Sequence, residues 1–182
     1  MKGLTFLWSY ILACVKIAVT GPPGSGKTTL ALKVAEAAKA SGARVGGFVT
    51  VEVRDRGVRL GFDVLSLADG RRSSLARAGR GEPRVGKYAV NLGSCEFMKS
   101  LLSAGGVDIL IVDEVGPMEA KCPSFVETAR DALVRAPNSL AVAHMRFAEV
   151  VKGWGFRLVV LSRDNREDVL REVLSAYGFR NV

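Results

Sequence analysis

Short apolar runs alternate along the chain with segments whose apolar residues recur at helical spacing. The runs predict buried strands and the amphipathic segments predict helices, a pattern typical of an α/β fold. We therefore expect a mainly parallel sheet sandwiched by helices. The predicted strands of this frame are 16–20, 107–114, 139–143 and 156–161. The predicted helices are 29–38, 94–104, 123–135 and a last one that follows residues 164–167 and runs to about 176.

The middle of the chain differs from this frame. Residues 45–53 and 58–67 are rich in β-branched side chains, and the Asp and Gly of 54–57 suit a hairpin turn. This predicts an added antiparallel β-hairpin, and residues 85–90 are a candidate for a further short strand. The hairpin serves either as architecture or as a flap over a substrate. Its polar candidates for the second role are Glu52, Arg54, Arg59 and Asp63.

The first fourteen residues form a separate segment. Residues 4–15 are an apolar run of about a dozen residues, whereas a transmembrane helix needs about twenty. Only Lys2 supplies positive charge ahead of the run, which weakens a signal-peptide interpretation. We expect an N-terminal extension of open role at 1–14, no membrane association, and a single domain at 15–182.

Composition and charge bound the function. The 182 residues are enough for one α/β domain, and the net charge of +8 attracts polyanions such as nucleotides. The basic stretch 71–84 has no interleaved aromatic residues, so we predict a solvated loop there and do not predict nucleic acid as a partner. The three cysteines, Cys14, Cys95 and Cys122, form no metal-ligand pattern and no disulfide framework. We therefore expect a cytoplasmic protein.

A glycine-rich motif carries the strongest chemical signal. Residues 21–28 fit G-x-x-x-x-G-K-[ST] in full, between a predicted strand and a predicted helix. Glycines let successive backbone N–H groups approach a phosphate at a helix N-terminus. Lys27 is expected to bind the β- and γ-phosphates, the Thr28 hydroxyl to bind Mg²⁺, and Thr29 to contact the α-phosphate. The predicted phosphate-binding residues are Gly21, Pro22, Pro23, Gly24, Ser25, Gly26, Lys27, Thr28 and Thr29.

A second motif ends another predicted strand in two carboxylates. The pattern of 107–114 is typical of a Walker B element, in which Asp113 holds Mg²⁺, partly through water. Glu114 follows at once and is the candidate general base that polarises an attacking water. The alternative is that both acids merely end a strand. Gly116 and Pro117 predict a tight turn out of the strand, close to the phosphates.

His144, the single histidine, comes directly after the predicted strand 139–143. If that strand is parallel to strand 16–20, which precedes the glycine-rich motif, its carboxyl end lies at the same crevice as the motif. His144 is then a candidate γ-phosphate sensor, with Arg146 nearby. The alternative is a histidine that caps the strand or packs on the core. Arg163 and Arg166 also follow a strand end and are candidates for an arginine finger; the alternative is a finger supplied by a partner, and the sequence does not decide between them.

Together these stretches resemble the THEP1-type nucleoside-triphosphatases, small P-loop proteins. The resemblance runs from Lys16 to Asp168 through KIAVTGPPGSGKTTL, GGFVTVEVRDRGVRLGFDV, VGKYAV, ILIVDEVGPMEAKCPSF and SRDNRED. It implies hydrolysis of the terminal phosphate of ATP, GTP, CTP and UTP with Mg²⁺ and little base preference. It also implies that the P-loop and a second stretch line the nucleotide. The residues of the second stretch are Ile111, Val112, Asp113, Glu114, Val115, Gly116, Pro117 and Met118.

Three other functions share these motifs. A small nucleotide or nucleoside kinase needs a mobile lid, for which the basic stretch 71–84 is a candidate, but a base at Glu114 would waste the phosphoryl donor on water. A GTP-binding accessory module of the molybdenum-cofactor type is similar in GPPGSGKTTL and GGFVT, yet the sequence has no guanine-reading N/T-K-x-D. A nucleic-acid-stimulated ATPase would bind RNA in a salt-sensitive way. The sequence fixes neither the oligomeric state nor the pathway.

Overall fold

The computed structural model describes residues 14–179 of the chain. The predicted N-terminal extension therefore lies outside the described residues, except for Cys14, which is exposed. Among the helices of the described part, none combines the length and the apolar character needed to cross a bilayer.

One nine-stranded sheet organises the described chain, in the order β5-β6-β4-β3-β2-β7-β8-β1-β9. Five strands, β2, β7, β8, β1 and β9, pair in parallel, and this half confirms the predicted mostly parallel sheet. The strand bounds are β1 Lys16–Thr20, β2 Val45–Asp55, β3 Val58–Ser66, β4 Arg72–Ala78, β5 Arg84–Val85, β6 Tyr88–Val90, β7 Ile109–Val115, β8 Asn138–Ala143 and β9 Arg157–Val160.

Five helices cover the two faces of the sheet, as the alternating pattern predicts. They are α1 Lys27–Ala40, α2 Ser94–Leu102, α3 Phe125–Arg135, α4 Ala148–Gly153 and α5 Arg166–Tyr177. Helices α1 and α5 bury their apolar faces on one side of the sheet. Helices α2, α3 and α4 cover the other side, where the Phe48 and Phe125 rings meet with centroids 6.2 Å apart. The six-residue helix α4 was not predicted, because AEVVKG is too short to show a helical period.

The antiparallel part of the sheet is larger than the predicted hairpin. Strands β2 and β3 pair as expected, but β4 adds to β3, and β6 and β5 follow beyond it. The prediction of a solvated basic loop at 71–84 is wrong for β4. Its Leu75 and Ala76 are fully buried, and the guanidinium of Arg77 pairs with the carboxylate of Asp63 at 2.6 Å. The backbone pairing and two buried residues outweigh the polar composition of this stretch.

A disulfide joins two of the three cysteines, so the prediction of no disulfide framework is wrong. Cys95 lies in the first turn of α2, and Cys122 follows the short 3-10 turn Glu119–Lys121 that comes after β7. The two residues are 27 positions apart and both are buried. Their pairing depends on the packing of α2 and α3 against the sheet, and cysteine spacing alone does not contain that information.

The parallel strands place their carboxyl ends at one edge of the sheet. Strand β8 lies between β1, which leads into the glycine-rich motif, and β7, which ends in Asp113 and Glu114. Ligands of open α/β sheets bind at this edge, where loops from neighbouring strands meet. The fold therefore brings the two sequence motifs to the same crevice.

Candidate nucleotide-binding site

The glycine-rich motif forms a loop between β1 and α1. Gly24 and Gly26 have φ of 75° and 103°, in the left-handed region that favours glycine. A Cβ on Gly21 would lie 2.1 Å from the backbone oxygen of Leu161, so this position has no room for a side chain. Gly26 is the N-cap of α1, and the loop leads directly into the helix. The arrangement turns backbone N–H groups and the positive end of a 14-residue helix toward an anion.

Two cationic side chains hold the loop from within the protein. The Nζ of Lys27 donates to the carbonyl oxygens of Gly21 at 2.9 Å and Pro22 at 3.1 Å. Arg166, the first residue of α5, donates through Nε to the carbonyl oxygen of Ser25 at 2.6 Å and through Nη2 to that of Gly24 at 2.8 Å. Because these carbonyls are tied back by Arg166, the loop is braced by an element 141 residues further along the chain.

Asp113, at the end of β7, is 2% exposed, and its Oδ2 atom is buried without a hydrogen-bond partner. Burial raises the pKa of this carboxyl to about 6, while the Thr28 hydroxyl, the charge of Lys27 and the backbone of Thr50 oppose the rise. An orphaned carboxylate oxygen beside a hydroxyl is a set of hard oxygen donors that suits Mg²⁺. The residues present therefore fit the predicted metal, which Thr28 and Asp113 would hold.

Glu114 is the next residue and lines the crevice itself. Burial and, after it, the charge of the neighbouring Asp113 raise its pKa to about 7, while Lys27 opposes the rise. A carboxyl with a pKa near neutrality is suited to accept a proton. Glu119 also lies buried near Glu114, with Thr50 Oγ1 at 3.4 Å. Burial, together with Glu114, raises the pKa of Glu119 well above its usual range.

A cleft of about 620 Å³ joins these groups to the β2–β3 hairpin. Its lining includes Thr50, Glu52, Arg59 and Phe62 from the hairpin. Of the predicted site residues, the lining contains Gly21, Pro23, Gly24, Gly26, Lys27, Thr28, Thr29, Glu114 and His144. Pro22, Ser25 and Asp113 belong to the same loop and strand end but are not part of the lining.

The stretch around Asp113 contributes mainly by support. Ile111 and Val112 are fully buried, each in the core on one face of the sheet. The other members of the predicted stretch that lie outside the cleft lining are Val115, Gly116, Pro117 and Met118. These residues flank the two carboxylates in sequence, and their contact with a nucleotide stays a prediction.

His144 performs a structural role, although it is neither the strand cap nor the core packing that the sequence offered as alternatives. Its Nδ1 accepts from the backbone N–H of Arg146 at 3.2 Å and caps the 3-10 turn Met145–Phe147. It also lines the cleft, where partial burial, then Arg146 and Lys27, lower its pKa. A neutral imidazole in this place has one ring nitrogen left for a ligand. Its action as a γ-phosphate sensor stays a prediction.

The cleft lining also contains residues that the two sequence motifs do not predict. Thr50 and Phe62 were not named as site residues, and Arg59 and Arg166 were only candidates for a flap and a finger. Their positions depend on where the hairpin and the start of α5 meet the loop. The one signal in the sequence is that polar residues interrupt otherwise apolar strands at Glu52 and Arg59.

The site combines a phosphate-binding loop with a buried carboxylate at the end of a strand two positions away in the sheet. Together with a parallel sheet that carries helices on both faces, these features define a P-loop NTPase fold. The family model described as NTPase matches residues 16–174. The chain belongs to this family, which confirms the resemblance found in the sequence.

Curated relatives and solved structures agree with this family. The chain is 47% identical to "Nucleoside-triphosphatase THEP1" of Pyrobaculum aerophilum over 164 residues, which cover 90% of the chain and 94% of the relative. It is 40% identical to the protein of the same name from Methanocaldococcus jannaschii, with 88% and 96% covered. A human cancer-related nucleoside triphosphatase superposes with a TM-score of 0.72 at 33% identity, covering 88% of this chain and 96% of the human one. THEP1 from Aquifex aeolicus superposes with a TM-score of 0.73 at 29% identity, with 88% and 98% covered.

Proposed function

We propose that this protein is a Mg²⁺-dependent hydrolase that removes the terminal phosphate from ATP, GTP, CTP and UTP. Membership of the NTPase family makes it a nucleoside-triphosphatase. The proposal adds the metal and the breadth of substrates. It rests on one observation above all: Asp113, with a buried and unpartnered oxygen, lies beside Thr28, and Glu114 shares a cleft with Lys27.

Each group has a role in hydrolysis. The loop N–H groups and Lys27 bind the β- and γ-phosphates, once Lys27 leaves the carbonyls of Gly21 and Pro22. Mg²⁺, when held by Thr28 and Asp113, neutralises charge on the phosphate oxygens. Glu114 orients a water molecule against the γ-phosphorus and accepts its proton as the β–γ bridging bond breaks. The products are a nucleoside diphosphate and inorganic phosphate.

The breadth of substrates is supported by the rim of the cleft near the start of α5. Leu30, Leu161 and Leu170 belong to the lining but are at most 4% exposed, and they present no polar group that would read the edges of a base. Lys33 and Glu167 lie 4.0 Å apart as an exposed ion pair. Because both side chains are exposed, the Lys33 donor and the Glu167 acceptor can each move to suit different bases. We place the protein in the cytoplasm, where its substrates are. The disulfide does not exclude this location, since intracellular proteins of hyperthermophilic archaea and bacteria often contain disulfides.

Phosphate release from the four nucleotides, with Mg²⁺ and without an acceptor, tests the proposal. We expect release from all four by the natural chain. Glu114→Gln should lower kcat by about 100-fold or more, because removing a general base typically costs a factor of 10² to 10⁴. Nucleotide binding by this variant should persist. Glu119→Gln is the matched control, since it makes the same substitution at a neighbouring buried carboxyl that does not line the cleft.

Other outcomes lead to different functions. Tight nucleotide binding without phosphate release would overturn the hydrolase proposal. Transfer of labelled γ-phosphate to a nucleoside or nucleotide in preference to water would support the kinase, and strict guanine selectivity would support the GTP-binding module. Equal losses in the Glu114→Gln and Glu119→Gln variants would remove Glu114 from the role of base.

A further inference from the structure

The β2–β3 hairpin brings a guanidinium to the cleft. Arg59, near the start of β3, lines the cleft together with Lys27 and Glu114. Thr50 of the neighbouring strand lines it as well and lies beside both Asp113 and Glu119. At Thr50 the hairpin thus reaches the two motif carboxylates, on the side of the cleft expected for the γ-phosphate. Arg59 lies opposite Arg54, further along the hairpin, and its side chain lines the same cleft.

The Arg59 guanidinium is held in place by contacts that leave some of its N–H donors without a partner. Its Nη2 pairs with the carboxylate of Glu52, and its Cζ lies 5.5 Å from the centre of the Phe62 ring. Its Nε is buried and has no hydrogen-bond partner. The side chain as a whole is 40% exposed, so it has room to move into the cleft. A guanidinium carries five N–H donors, and several of them are free here for an anionic ligand.

Glu52 does not depend on Arg59 for its charge balance. The carboxylate also pairs with Arg54, whose Nη2 lies at 2.6 Å and whose Nε lies at 2.7 Å. One carboxylate therefore serves two guanidinium groups, and the three residues carry a net charge of about +1 at neutral pH. When Arg59 leaves, Glu52 stays neutralised by Arg54. The release of Arg59 therefore leaves no unpaired charge behind.

The other cationic side chains that line the cleft, among the described residues, have separate tasks. Arg166 is bonded to the carbonyls of Ser25 and Gly24, so it braces the loop. Lys33 faces Glu167 near the start of α5. Lys27 is the lysine of the P-loop itself. Arg59 is the cation left to meet charge that develops on the outer oxygens of the γ-phosphate.

We propose that Arg59 is an arginine finger supplied by the same chain, which exchanges Glu52 for the γ-phosphate oxygens in the transition state. This inference rests on the proposed hydrolysis. In that reaction the oxygen of water bonds to the γ-phosphorus, the bond to the β–γ bridging oxygen breaks, and Glu114 takes the proton. Arg59 forms no covalent bond. It donates N–H groups to oxygens whose negative charge grows as the phosphoryl group is transferred.

Substitutions at the two arginines that share Glu52 test the assignment. Arg59→Gln should lower kcat by about 100-fold or more, since arginine fingers are worth a factor of 10³ to 10⁵ in known cases. Its KM should stay within about threefold, because the contact forms only in the transition state. Arg59→Lys should recover only a small part of kcat, since an ammonium lacks the planar fork. Arg54→Gln removes the second partner of Glu52, so it should hinder the release of Arg59 and lower kcat, though less than Arg59→Gln does. Arg56→Gln is the matched control, because Arg56 is exposed at the turn of the same hairpin and does not line the cleft. Its kcat should stay within about threefold of that of the natural chain.

A transition-state mimic gives a readout that a structural role would not change. The natural chain should trap a nucleoside diphosphate with Mg²⁺ and aluminium fluoride, which imitates the planar phosphoryl group. Arg59→Gln should bind the diphosphate alone as well as the natural chain does, yet fail to trap it with fluoride. Arg56→Gln should trap it normally.

Three results would overturn the assignment: a kcat of Arg59→Gln within about threefold of the natural chain, normal trapping by that variant, or equal losses in the Arg56→Gln variant. These results differ from a failure of the proposed function. In that case the natural chain itself would release no phosphate from any nucleotide. A thermal melt of each variant checks that the hairpin still folds.

Discussion

Removal of the Cys95–Cys122 disulfide should destabilise the protein by several kcal/mol. The bridge closes a loop across 27 positions. The chain-entropy relation gives a loss of about 12 cal/mol/K for a loop of that size, which corresponds to about 3.6 kcal/mol at 25 °C. For a protein of this length, each kcal/mol shifts the midpoint of thermal unfolding by about 2 to 4 °C. We therefore expect the midpoint to fall by about 10 °C.

Thermal and guanidinium unfolding of three proteins measures this effect. They are the natural chain, a Cys95→Ala/Cys122→Ala double variant and a Cys14→Ser variant. The double variant should melt about 10 °C lower, and adding a reductant should not change its midpoint. Cys14 is exposed and outside the bridge, so the Cys14→Ser variant should match the natural chain.

Thiol titration decides whether the reasoning is right. The unreduced natural chain, unfolded in denaturant, should show one reactive thiol out of three cysteines. Three reactive thiols would show that the bridge does not form in the isolated protein. A double variant that melts within about 2 °C of the oxidised natural chain would refute the loop-closure argument even if the bridge is present.

Two further predictions concern the site. Arg166→Gln should raise KM for nucleotide by about tenfold and lower kcat by a smaller factor. The reason is that the loop loses two charge-assisted hydrogen bonds to its carbonyls, each worth about 1.5 to 3 kcal/mol in general. An unchanged KM in steady-state assays would contradict the bracing role. Glu119→Gln should stabilise the nucleotide-free protein more at pH 8 than at pH 5. Burial raises the pKa of Glu119, so the folded state holds this proton more tightly than the unfolded state does. The natural chain therefore loses stability as the pH rises above the pKa of Glu119 in the unfolded state, by about 1.4 kcal/mol per unit of pKa shift. Urea unfolding at the two pH values measures the gain, and an equal gain at both would contradict this account.

The parallel half of the fold could be predicted because its signals are local. The P-loop glycines stand between an apolar run and a helical pattern, and Asp113 and Glu114 end a second apolar run. Both motifs are contiguous in sequence, so spacing alone shows the chemistry. The carboxyl ends of parallel strands meet by topology, and this placed His144 beside the same crevice.

The remaining features depend on contacts between distant segments. Strand β4 was missed because RSSLARA is polar in composition, and its backbone pairing with β3 is a tertiary property. The disulfide depends on how α2 packs, and the bracing of the loop by Arg166 spans 141 positions. Arg59 could be named as a polar residue of a flap, but its shared partner Glu52 becomes visible only in the folded hairpin.

The two ends of the nine-stranded sheet bear on how the protein behaves at high concentration. At one end β5 consists of two residues, and at the other β9 has four, with the guanidinium of Arg157 bound to Glu172 at 2.6 Å. Joining two copies edge to edge requires a long row of unpaired N–H and C=O groups, and strands this short provide few. The short, charged edge strands therefore protect this wide, open sheet from strand addition between molecules.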